Sequence, residues 1–207
     1  MLQIISGAIV VLFTIILSAF IETYLFRNND DLLVYIKNCY KDKALILIIL
    51  IELILLILIE LNSMFLIYYF VIYFLYRICL IDIKTKLIDI KLLIALIVVA
   101  IMSTVATNGV MIGDKILTCV ISLVLFILLS KITRNGFGMG DAKVIAVLAY
   151  ILGFQALMAT LIISSVLVFV TSIIILIKSF SNRKNDIPFT PFLFAALLIL
   201  LIVNNIH

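Results

Sequence analysis

From Ala44 to Ile81 the chain is an almost unbroken run of Leu, Ile, Val, Phe and Tyr, with Asn62-Ser63 as its polar break. A helix rises 1.5 Å per residue and needs about 20 apolar residues to cross the ~30 Å hydrocarbon core of a bilayer. One helix cannot use so long a run, and a soluble domain of this size has no interior large enough to hide it. The whole chain repeats the pattern: 67% of its 207 residues are hydrophobic, 13% are charged, and the mean hydropathy is +1.43. The bilayer is therefore the expected solvent. The expected fold is all-α and polytopic, a single integral membrane domain over residues 1–207.

Polar breaks divide the chain into eight predicted spans. Leu2–Phe26 is the first; it lacks a basic lead-in and is read as a retained helix rather than a signal peptide. Ala44–Ile81 folds back at Asn62-Ser63 as two spans, Leu92–Thr107 is the fourth and Ile116–Ser130 the fifth. Ala142–Ile177 as one helix would extend roughly 54 Å. A turn at Gly153-Phe154-Gln155 divides it into a short sixth and a longer seventh span, and Pro191–Ile206 is the eighth. This count puts the loops 27–43, 82–91, 131–143 and 178–184 on one side. They hold the loop Lys and Arg residues except Lys115, which faces the other way. The positive-inside rule then places them in the cytoplasm and both termini outside.

The same composition excludes other classes. The net charge of +4 is scattered between apolar runs and forms no nucleic-acid footprint. Cys39, Cys79 and Cys119 form no CxxC pair, so neither a metal site nor a disulfide framework is expected. His207, the one histidine, stands at the end of the chain, away from any serine–histidine arrangement.

Against this background, Gly136-Phe137-Gly138-Met139-Gly140-Asp141-Ala142-Lys143 gathers three glycines, a carboxylate and a lysine in the loop 131–143. Asp82 ends the third predicted span at the same cytoplasmic boundary. Two carboxyls brought close share a proton, and such a pair can activate water while protonating a carbonyl. The plainer reading of Asp141 is an N-cap matched to its helix dipole.

Four stretches, in order, resemble the type IV prepilin peptidases, the bacterial members of the GxGD aspartic proteases. Ser18–Arg27 is similar to the end of the family's first helix, and Ile81-Asp82-Ile83-Lys84-Thr85-Lys86-Leu87-Ile88 to the motif bearing its first catalytic aspartate. Gly138-Met139-Gly140-Asp141-Ala142-Lys143 resembles the second catalytic motif. Ile187-Pro188-Phe189-Thr190-Pro191-Phe192-Leu193 resembles a C-terminal IPFGPFL stretch, with Thr190 in place of glycine. The resemblance implies that Asp82 and Asp141 are the catalytic pair, with Gly138, Gly140 and Lys143 binding substrate or shaping the site. On that reading the glycines let an extended substrate backbone approach the loop, and Pro188 and Pro191 shape the start of the last helix. It implies a multi-pass protein of the bacterial cytoplasmic membrane. Its substrates would be type IV prepilins or pseudopilins with a short basic leader, a glycine before the cut and an apolar helix behind it. Lipid is the expected partner of the basic loops.

This chain departs from the family pattern at two further places. Asp89 replaces a proline and is a third acid near Asp82. The loop 27–43 carries only Cys39, where many relatives hold two CxxC pairs. No cofactor is expected for proteolysis. The family's N-methylation with S-adenosylmethionine is associated with a larger loop than this one. Glu52, mid-span in the second helix, is read as structural or as part of that second activity. Two rivals remain from other classes: a proton-coupled transporter using Asp82, Asp141 and Glu52 as a relay, and a non-catalytic assembly partner with the same fold.

Overall fold

The computed structural model describes residues 63–107, 112–133, 137–178 and 188–205. The chain divides into two compact units, 1–65 and 66–207. The described residues belong almost wholly to the second. The first two predicted spans, the loop 27–43, Glu52 and Gly136 lie outside them.

Five helices follow one another: α1 (Ser63–Thr85), α2 (Ile90–Ala106), α3 (Ile112–Ile132), α4 (Met139–Lys178) and α5 (Thr190–Asn205). There is no strand among the described residues. α3 and α4 are long and apolar enough to cross a membrane, while α2 and α5 are shorter apolar helices.

Most boundaries fall where the polar breaks put them, and the differences have local causes. α1 starts at the Asn62-Ser63 break but runs past Asp82 to Thr85, so Asp82 occupies its last turn instead of its end. α3 begins earlier than the apolar pattern, taking in Gly113, Asp114 and Lys115. Asp114 in its first turn and Lys131 in its last both match the helix dipole.

α4 is the organising element, with α2, α3 and α5 all packed against it. In its first half Ala142, Val144, Ile145, Leu148 and Ala149 are buried almost all round. An all-round apolar segment suits a helix enclosed by others. Beyond the middle, Ile162, Val166, Phe169 and Val170 are exposed, as are Leu117, Ile121 and Leu128 of α3. Surface of this kind is what a lipid-facing helix presents.

The two halves of α4 meet at Gly153, where φ is 77° and ψ 175°. The break stands at the first residue of the predicted Gly153-Phe154-Gln155 turn. A Cβ there would meet nothing within 4 Å, so the requirement for glycine comes from the backbone conformation and not from space. Gly153→Ala is therefore expected to destabilise the fold by about 1–3 kcal/mol. Thermal unfolding in detergent would measure it, and an unchanged melting temperature would contradict this account.

Candidate active site

Asp82 is carried by the last turn of α1 and is only 5% exposed. The helix closes just behind it: the Lys86 N–H donates to the Asp82 carbonyl at 2.8 Å. Lys86 itself takes a positive φ of 55°, the left-handed cap that stops a helix. Residues 87–89 then lead directly into α2. Asp89 caps that helix, its Oδ1 accepting the Lys91 N–H at 2.8 Å. The acid that stands where the family has a proline thus has a structural occupation.

Asp141 enters from the first turn of α4, whose opening is set by the Gly138 carbonyl accepting the Ala142 N–H at 3.2 Å. Three contacts hold the loop before it. The Ser130 hydroxyl donates to the Phe137 carbonyl at 2.7 Å. The Phe137 ring lies 5.3 Å from that of Phe126 on α3 and 5.6 Å from that of Phe189, just before α5. Aromatic pairs at these separations add to the burial of their area. Phe137 therefore couples the glycine-rich stretch to the start of the last helix.

That helix start joins the two acids. The Thr190 backbone N–H donates to Asp82 Oδ2 at 3.3 Å, and the Thr190 hydroxyl donates to Asp141 Oδ1 at 3.1 Å. A carboxylate from α1 and another from α4 thus converge on one residue of α5. The Asp141 carboxyl, at the end of the polar loop, is pushed up to about 6. Burial is the main cause and the nearby charge of Asp82 the second, with the Thr190 hydrogen bond pulling the other way. A carboxyl poised near neutrality beside a second acid is suited to passing protons at physiological pH.

The glycines serve this arrangement in a way the sequence reading did not anticipate. A Cβ on Gly138 would stand 2.7 Å from Asp141 Oδ2, and one on Gly140 would stand 2.9–3.1 Å from three atoms of the Ile88 side chain. The space is taken up by the protein's own side chains. Gly138 leaves room for the Asp141 carboxyl, and Gly140 lets the connection behind Asp82 lie against the first turn of α4.

Pro188 and Pro191 flank the bridging residue. Pro191 lies in the first turn of α5, where a missing N–H removes no helical bond. Lys143 is not brought to the carboxyls. Two residues beyond Asp141 it projects from another face of α4, exposed, and lines a cavity of about 500 Å³ with Leu93, Ile97 and Leu123. The residue that sequence reasoning passed over is Thr190, which it noted only as a departure from glycine.

The family model described as the type IV leader peptidase family matches residues 69–173. That is half of the chain, and it contains both Asp82 and Asp141. No curated protein and no solved structure matches. The two outer stretches of the resemblance, Ser18–Arg27 and Ile187–Leu193, fall beyond the matched residues, whereas both aspartate motifs fall within them. With apolar helices long enough to cross a bilayer and a leader-peptidase match spanning both acids, the chain belongs to the type IV leader peptidase family.

Proposed function

We propose that this protein is an aspartic endopeptidase of the bacterial cytoplasmic membrane that removes the leader of type IV prepilins or pseudopilins. The cut would follow a glycine at the cytoplasmic face. The observation that carries this reading is the bridge from Thr190 to both Asp82 and Asp141. On this reading the two carboxyls share one proton, one acting as base and the other as acid.

The chemistry follows from that shared proton. The charged carboxylate takes a proton from a water molecule, whose oxygen bonds to the scissile carbonyl carbon. The protonated carboxyl gives its proton to the carbonyl oxygen, and a tetrahedral diol results. Proton return to the amide nitrogen breaks the C–N bond. The leader leaves with a new carboxyl group and the mature protein with a new amino group. No step requires a cofactor. N-methylation of the new terminus with S-adenosylmethionine would be a separate reaction, read by transfer of a labelled methyl group in the same mixture.

The arrangement in the membrane completes the reading: eight spans, both termini outside, and the basic loops against anionic lipid. An accessibility tag on the C-terminus is expected to react from outside the cell; reaction from the cytoplasm would overturn this topology.

The direct test mixes the purified protein with a prepilin in detergent and reads the product terminus by mass spectrometry. Cleavage behind the glycine is expected. A folded protein that leaves every prepilin intact would favour the non-catalytic assembly partner.

A further inference from the structure

The start of α5 offers one unused backbone donor. The N–H groups of a first helical turn have no partner within the helix. Here those of Phe192 and Leu193 both turn back to the Phe189 carbonyl, at 3.0 and 3.2 Å, and Pro191 has none. The Thr190 N–H is left, and it is directed at Asp82. The Thr190 side chain is 1% exposed, so its hydroxyl needs a protein partner, and that partner is Asp141. The family's stretch has glycine at this place, which could supply the backbone N–H but no hydroxyl.

We propose that Thr190 is a positioning residue that holds the two carboxyls in a fixed mutual orientation, its backbone on Asp82 and its hydroxyl on Asp141. The second of these contacts is a constraint that this chain adds. The proposal rests on the reading of Asp82 and Asp141 as the reacting pair. Thr190 touches neither substrate nor water in this account; it acts through the acids.

The surroundings leave the hydroxyl little competition. Among the described residues, Asp82 is the charged neighbour whose field reaches Asp141. Lys91 of α2 and Lys131 of α3 are exposed, Lys143 lies on another face of α4, and α5 carries no charged residue. The Phe137–Phe189 contact holds the helix start from the other side, so the bridge has a fixed base.

A hydroxyl donating to Asp141 favours its ionised form, so removing it makes the pair keep its last proton longer. In Thr190→Val the alkaline limb of the kcat/KM profile should move up by about one pH unit. The rate at the optimum should fall roughly tenfold as the Asp141 carboxyl loses its orientation. Thr190→Ser keeps both donors and should stay within about twofold of the parent with its limb in place. Thr190→Gly keeps the backbone donor alone and should share the shifted limb of the valine variant.

Prepilin cleavage from pH 5 to 9 would be followed for these three proteins beside Asp82→Asn and Asp141→Asn, with thermal unfolding checked in the same detergent. A parental limb in the valine and glycine variants, with both asparagine variants inactive, overturns the positioning role and leaves the pair intact. An active asparagine variant would instead remove the pair on which the role depends. Should the valine variant unfold, the serine and glycine variants decide alone: a shift confined to glycine supports the proposal, and no shift in either defeats it.

Discussion

Asparagine in place of Asp82 or Asp141 is expected to abolish the proposed prepilin cleavage, with kcat/KM falling by about 10²–10⁴ for either change. The substitution is chosen because it separates chemistry from folding. An asparagine carboxamide is the size of the carboxyl it replaces, and its carbonyl oxygen can still accept from Thr190, whose two donors serve Asp82 Oδ2 and Asp141 Oδ1. The melting temperature should therefore stay near that of the parent while activity is lost. Asparagine can neither take a proton from water nor give one to a carbonyl, so the two single changes should cost about the same. The double change should cost little more, because the pair works as a unit. Cleavage by either variant at the parental rate would take that residue out of the chemistry.

Gly138→Ala should give nearly as large a loss by a different route. The added methyl carbon would lie 2.7 Å from Asp141 Oδ2, well inside contact distance. What must yield is the far end of a flexible side chain, so the cost in stability is small, under about 1 kcal/mol. The same displacement moves a reacting group by an ångström or so, which is enough to lower kcat/KM by about 10². The expected signature is a folded, poorly active enzyme with KM little changed. A normal rate in this variant would show that Asp141 does not work from the position described here.

The legible and illegible parts of this site differ in kind. Asp89, noted in the sequence only where the family has a proline, is a helix N-cap, a role set by the residues just after it. Gly153 interrupts a run too long for one crossing, and the helical path breaks there. Both depend on a few neighbouring residues. Thr190 is separated by 108 positions from Asp82 and by 49 from Asp141, and no local pattern marks those contacts. Gly140 meets Ile88 across a similar gap. Its place in the motif suggested room for a substrate, whereas the room is filled from within. Lys143 stands two residues beyond Asp141, which along a helix turns its side chain by about 200°. Only the folded helix shows that it lines a separate cavity.

By itself, then, the sequence determined an apolar helical chain and the positions of two acids near helix ends. Hydropathy and backbone preference act over one or two turns and can be read from one segment at a time. Only the tertiary structure decided that those acids share a neighbour, that a threonine of α5 provides it, and that two glycines are needed for internal contacts. Those facts depend on how α1, α4 and α5 meet, and packing joins residues that the chain keeps far apart.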